Sequence, residues 1–229
     1  MKYVGWGGLA QAFDHRNTDW ESEFRELSEL LTPDEYAAAR RSTQDSHYTP
    51  EFAVREIYTA LEQLGFKGGR ILDPALGTGH FIGAMPVEMA AQSKVTGCEL
   101  DEITARIARQ LYPDSMVIQR GYQNLRIPRG HFDAMVGNPP FGNQSVFDAE
   151  HPDLSKFSIH NYFIAKSMLS VRRGGVMAFV ISRHFMDAAS PEVRSFIADE
   201  AHFLGAVRLP ESAFKASAGV EVTTDIVFL

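Results

Sequence analysis

A chain of 229 residues, 45% hydrophobic and 22% charged, suits one sizeable α/β domain with a buried core, or one domain plus a small appendage. No apolar run approaches the roughly 20 residues of a bilayer span, the opening MKYVGWGGLA lacks the apolar stretch of a secretory signal, and Cys98 alone excludes an internal disulfide, so a reducing compartment, the cytoplasm, is expected. The net charge of -7 is unusual for a protein that handles nucleic acid; such a partner needs a local basic region here, or another domain.

A Gly/Trp-rich opening, Val4–Gly8, precedes a predicted helix at Trp20–Leu31. Thr32, with Pro33 at the first helical position and Glu35 at the third, starts a second helix that runs to about Arg41. After His47-Tyr48-Thr49-Pro50, Phe52, Ile57, Ala60, Leu61 and Leu64 recur at helical spacing over 51–64. From Gly69 onward short apolar runs alternate with helical segments. Strands are expected at Arg70–Asp73, Lys94–Glu99, Met116–Gln119, Phe132–Gly137, Gly175–Ser182, Phe203–Arg208 and Thr223–Leu229, with helices at 79–91, 101–111, 160–172 and 191–200. The near-continuous apolar run Val176–Ile181 indicates a sheet covered on both faces. The fold class is therefore α/β: a doubly wound, mostly parallel, Rossmann-like seven-stranded sheet. Residues 1–46 form an N-terminal helical extension and 47–229 the main domain. In such sheets ligands sit beyond the carboxyl ends of the strands, where Asp73, Glu99 and Asn138 fall.

Three motifs carry the chemistry. Asp73-Pro74-Ala75-Leu76-Gly77-Thr78-Gly79-His80-Phe81 ends a strand in an acid and turns through glycines into a helix. Ile82 stands where a dinucleotide fingerprint needs its third glycine, and there is no Gly-Lys-Ser/Thr of a phosphate loop. An acid at the mouth repels pyrophosphate and suits a cation carrying an ammonium and a sulfonium; an ordinary glycine turn is the alternative. Glu99, at the next strand end, is placed to accept hydrogen bonds from a ribose diol, with Asp101 as cap of the following helix; a solvated acid is the alternative. Asn138-Pro139-Pro140-Phe141 presents two acceptors, the Asn138 side-chain oxygen and the Pro139 carbonyl. Aimed at the N–H bonds of an adenine amine, they stabilise the positive charge that develops as it takes a methyl group. The prolines stiffen the loop, and Phe141 offers a stacking face for a flipped base; a plain Asn-Pro turn is the alternative.

Taken together and in this order, the motifs resemble the gamma-type adenine-N6 DNA methyltransferases of the Asn-Pro-Pro-Phe amino-methyltransferase superfamily, over about 42–229. The opening YVGWGGLAQAFD and the closing EVTTDIVFL are similar to the methylase region of large mobile-element methylase/helicase proteins. The resemblance implies a class I fold whose last strand runs antiparallel between the fifth and sixth, and transfer of a methyl group from S-adenosyl-L-methionine to the N6 amine of a flipped adenine in DNA. It implies that the cofactor contacts Asp73, Ala75, Gly77, Gly79, Phe81, Glu99, Leu100 and Asn138, with His47, Tyr48 and Thr49 over its methionine end. The family's acid after the third strand is missing; Gln123 is the acceptor present for the cofactor's adenine amine. The family also carries a target-recognition domain after its core, so DNA recognition is expected to need a region outside this chain. RNA adenine-N6 methylation, protein-glutamine methylation and a degenerate cofactor-binding module are the competing readings. The eight histidines show no metal-binding spacing, and Cys98 lacks the preceding proline of a cytosine-C5 nucleophile. Basic residues cluster at Arg120–Arg129 and Arg172-Arg173. Tyr162 and Phe163 are expected in the core, and Trp6 as an anchor of the N-terminal segment onto it.

Overall fold

The computed structural model describes residues 6, 9–43, 49–214 and 222–229. Its seven-stranded sheet has the order β3-β2-β1-β4-β5-β7-β6, from β1 (Arg70–Asp73), β2 (Lys94–Glu99), β3 (Met116–Gln119), β4 (Phe132–Gly137), β5 (Val171–Ser182), β6 (Gly205–Arg208) and β7 (Thr224–Phe228). The first five pair in parallel, and β7 runs antiparallel to both β5 and β6, as the resemblance implies. Parallel neighbours demand crossovers, and helices supply several of them: α4 (His80–Gly83) and α5 (Val87–Ala91), α6 (Glu102–Leu111) and α7 (Ile159–Ser170); α8 (His184–Asp187) and α9 (Glu192–Glu200) lie between β5 and β6.

One apolar core, with Leu72, Met135, Met177 and Phe179 from the sheet, packs against α7 and α9. The other holds Ile71, Ala134, Ala178 and Val180 against α3 (Glu51–Gln63) and the α4–α5 region. Alternation along β1, β4 and β5 thus sends successive side chains to opposite layers. The face that α3 buries is Ala53, Val54, Ile57, Tyr58 and Leu61; Phe52 and Leu64 are about half exposed. The spacing argument finds the helix but displaces its stripe; the observed stripe includes Tyr58, which donates its Oη–H to the Phe81 carbonyl at 2.8 Å.

Two further boundaries differ from expectation. The helix expected over 79–91 breaks into α4 and α5, since Pro86 lacks the N–H needed to continue and caps the second piece instead. β5 begins at Val171, four residues before the expected Gly175, so Gly174-Gly175 lie inside it. The β4–β5 pairing shifts register between Phe132 and Ala134, and the glycine pair occupies that irregularity.

At the N-terminus, α1 (Glu21–Leu30) and α2 (Pro33–Ser42) follow short 3-10 turns. The capping box at Thr32 forms as expected, with the Glu35 carboxylate accepting the Thr32 N–H at 3.0 Å. These helices enclose their own small cluster of Ala12, Phe13 and Ala39, and Trp6 packs edge-on against Phe13 there and not on the main core. Arg106 on α6 pairs with Glu35 across to this unit. Among the described residues no helix is long and apolar enough to cross a membrane.

Candidate active site

Parallel pairing aligns β1, β2 and β4, so their carboxyl ends share one edge. Asp73 closes β1, Glu99 closes β2, and Asn138 follows the last residue of β4. The approach is close at one point: a Cβ built on Gly137 would lie 2.7 Å from Asp73 Oδ1. Only glycine lets the acid of the first loop sit against the residue preceding Asn138.

Asp73 is 1% exposed. Its Oδ1 accepts the Ala75 N–H at 3.1 Å, while Oδ2 is buried with no hydrogen-bond partner among the described residues. Burial without a cation pushes its carboxyl up to about 8; the Ala75 N–H pulls down, and the charge of nearby Glu99 adds to the rise. The hydroxyls of Thr78 and Thr49 are likewise buried without partners among the described residues. Buried polar atoms are normally satisfied, and orphans at Asp73 and Thr78, within one loop, fit a polar, cationic ligand. Thr49 belongs with them: its carbonyl lies 3.4 Å from His80 Nδ1, which ties the Thr-Pro segment to the helix after the glycine loop. His47 and Tyr48 lie outside the described residues.

Glu99 braces the loop from the neighbouring strand. Its Oε2 accepts the Gly77 N–H at 2.8 Å and its Oε1 the Asp101 N–H at 2.7 Å. Burial raises its carboxyl above the ordinary value, against the pull of those two amides. Asp101 caps α6 through the Thr104 N–H, as expected. Gly79 has φ +88°, and a Cβ there would overlap the Tyr112 ring. Gly79→Ala is therefore expected to cost roughly 1–2 kcal/mol for the left-handed backbone alone, plus the overlap. Urea unfolding checks this: Tyr112→Ala in the same chain should return the steric part but not the backbone part.

The other expected contacts divide. Ala75 is half-buried at the loop mouth and Leu100 is 70% exposed beside Glu99. Phe81, expected among the cofactor contacts, has its ring in the core, where Met85 and Met89 also pack. Gln123 sits in a short turn, Tyr122–Asn124, after β3, its side chain folded over Gly121.

Asn138 and Pro139–Phe141 leave β4 as a loop without regular structure. α7 holds it from behind: the Ile159 N–H donates to the Gln144 carbonyl at 2.7 Å, and His160 Nδ1 to the Gly142 carbonyl at 3.1 Å. A carbonyl only accepts, so Nδ1 carries the proton, and burial lowers the His160 pKa and keeps the ring neutral. Tyr162 and Phe163 are core residues, as expected. The sequence reading missed the buried Lys166 and Asp148, 2.8 Å apart, which meet Tyr162 behind the loop. A lone Lys within the apolar run of α7 was the available signal, since lysine is almost never fully buried unless paired.

The basic residues divide between the two edges of the sheet. Arg172 pairs with Asp133 and Arg129 with Glu200 where the strands begin. Arg120 and Arg183 are exposed near the ends of β3 and β5. Among the described residues no His, Cys, Asp and Glu group could hold a metal, and Cys98 is buried in β2, its thiol pushed up to about 12 by burial and neighbouring carboxylates.

The sheet order with an antiparallel β7 and the ligand edge at β1, β2 and β4 is the class I methyltransferase fold. Residues 88–214 match the model of the Eco57I restriction-modification methylase family, and the chain belongs to that family. It is 27% identical over 187 residues to defense against restriction protein B of Escherichia phage P1, covering 80% of this chain and 8% of that protein. It is 27% identical over 209 residues to the type II methyltransferase M.XamI of Xanthomonas campestris pv. amaranthicola, covering 78% and 37%. The chain thus spans well under half of the length of either relative. Solved structures share the fold, the following two among them. The methyltransferase subunit of the type I restriction-modification system from Streptococcus thermophilus superposes at TM-score 0.68 with 17% identity over 93% of this chain and 53% of that one. A class I S-adenosylmethionine-dependent methyltransferase candidate from Listeria monocytogenes superposes at 0.65 with 17% identity over 99% and 78%. S-adenosylmethionine is the cofactor that membership of this family implies.

Proposed function

We propose that this chain transfers the methyl group of S-adenosylmethionine to the N6 amine of an adenine turned out of DNA. The observation that carries the reading is the closeness of Asp73 to Gly137, which brings a cation-binding loop beside an amine-activating one. The orphaned oxygens of Asp73 and Thr78 fit the cofactor's ammonium end, with Thr49 beside them. When bound, the cofactor supplies an electrophilic methyl group on its sulfonium. Asp73 would take the ammonium, and the glycine loop from Ala75 to Gly79 would help to hold the cofactor. Glu99 keeps lone pairs free for the ribose hydroxyls, because each of its oxygens accepts one amide. Leu100 would flank the adenine, and Gln123 would offer its amide oxygen to the adenine amine. At the target, the Asn138 Oδ1 and Pro139 carbonyl accept the two N–H bonds of the substrate amine, Pro140 stiffens the turn, and Phe141 stacks on the base.

The substrate class is tested by incubating the protein with isotopically labelled cofactor and DNA, RNA or protein, then locating the label by mass spectrometry. N6-methyladenine in DNA is the expected product. Label found in RNA or on glutamine, with none in DNA, replaces the reading. The acidic net charge and the Arg172 and Arg129 ion pairs lead to a further expectation. Duplex affinity of residues 1–229 should be weaker than about micromolar at physiological salt, in the non-specific range; nanomolar sequence-specific binding in a titration contradicts it.

A further inference from the structure

Helix α7 is buried on nearly every side, and one of its buried side chains is charged. Lys166 has a side chain 2% exposed. Its Nζ donates to Asp148 Oδ2 at 2.8 Å and to the Tyr122 carbonyl at 2.9 Å. Asp148 is fully buried. Its Oδ2 also accepts the Tyr162 hydroxyl at 2.5 Å, and its Oδ1 accepts the N–H groups of Glu150 and His151 at 2.8 and 3.1 Å. Its own N–H donates to Ser155 Oγ at 3.0 Å. Tyr122 is locked in turn, with its hydroxyl 3.2 Å from Ser167 Oγ and its ring 4.8 Å from that of Phe163.

One ammonium therefore joins two pieces of chain that the sheet holds on different strands. One is the stretch that follows Asn138–Phe141; the other is the turn after β3 that carries Gln123. A buried ion pair is a poor way to gain stability, because apolar groups of the same shape serve as well or better. What apolar packing does not supply is a directional tie between two loops, and Lys166 makes that tie with donors to both. We infer that Lys166 and Asp148 are positioning residues that transmit occupancy of the cofactor segment at 121–125 to the target loop at 141–156. This rests on the proposed cofactor site. Coupling between sites of this kind is usually worth 5–150-fold, and it is reciprocal, so a seated target base strengthens cofactor binding by the same factor.

Hydrogen exchange followed by peptide mass spectrometry, with and without saturating S-adenosylmethionine, tests it. In the wild-type chain the cofactor should slow exchange at 121–125 and, by roughly fivefold or more, at 141–156, where Glu150 and His151 report directly. In Lys166→Met the slowing at 121–125 should remain and that at 141–156 should vanish. Retained slowing at 141–156 in this variant overturns the inference, as does a wild-type response confined to 121–125. No response anywhere in the wild type, with no cofactor bound by calorimetry, instead sinks the cofactor reading on which this one stands. If Lys166→Met is unfolded by circular dichroism, the double variant Lys166→Met/Asp148→Leu leaves no lone buried charge. It should fold and show the same uncoupled pattern; if it too is unfolded or still coupled, the pair is not the transmitting element.

Discussion

Asn138→Ala is expected to lower the rate of methyl transfer by roughly 10²–10³-fold, the usual consequence of losing one preorganised polar group aimed at developing charge. Affinity for S-adenosylmethionine should change little, because Asp73, Thr78 and Thr49 are the residues proposed for the cationic end of that ligand. The size of the effect follows from the chemistry of the nucleophile. An adenine amine has its lone pair delocalised into the ring, and it gains positive charge only as the new bond forms. Acceptors on its N–H bonds therefore act mostly in the transition state, which lowers the rate constant more than the Michaelis constant. Their preorganisation is visible in the loop: prolines at 139 and 140, and anchors from Ile159 and His160 on the carbonyls of Gln144 and Gly142. Phe141→Ala should weaken target-base binding and slow turnover yet leave residual activity, since stacking is worth only about 1–3 kcal/mol. Single-turnover assays at saturating DNA separate the two. Near wild-type rates for Asn138→Ala would remove the amine-activation mechanism.

Asp73 governs the second large effect. With its carboxyl near 8 in the ligand-free protein, it holds a proton at neutral pH. A bound ammonium favours the ionised form, so binding below that pH expels the proton, and affinity should climb as pH rises toward about 8. Above it the ligand's own α-amino group, with an ordinary pKa of about 7.7–8.0, loses its charge and the gain disappears. Calorimetry at pH 6.5 in buffers of different ionisation enthalpy should find close to one proton released by the wild type and none by Asp73→Asn. The variant should bind more weakly by roughly 1–3 kcal/mol. Stability moves the other way. The folded, ligand-free protein keeps a proton that the unfolded chain has lost between its ordinary carboxylate value and about 8, so this group makes the fold less stable as pH rises through that window. Asp73→Asn removes the penalty, and its melting temperature should exceed that of the wild type at pH 8 by more than at pH 5. Equal proton release by the two proteins would show that another group titrates on binding.

Much of this molecule is written locally. The apolar run of β5 needs cover on both faces, Thr32-Pro33 with Glu35 announces a helix start, and Asp73, Glu99 and Asn138 each stand where a strand must end. Period, caps and strand-end polarity are properties of neighbouring residues, so the order of elements and the acids and glycines of the site are legible without coordinates. What the chain reveals only when folded depends on residues far apart in sequence. The buried stripe of α3 faces sheet residues far along the chain and includes Tyr58, bonded to the Phe81 carbonyl 23 positions on. The Phe81 ring goes to the core because α3 and β1 close over it. Arg129 and Arg172 lie away from the catalytic edge because β4 and β5 carry their starts there, beside Asp133 and Glu200. The Lys166–Asp148 pair spans 18 positions and joins a third segment, at Tyr122, another 26 away from Asp148. A charge can be taken out of water only where a partner meets it, and which partner does so is decided by strand order and helix packing, not by sequence distance.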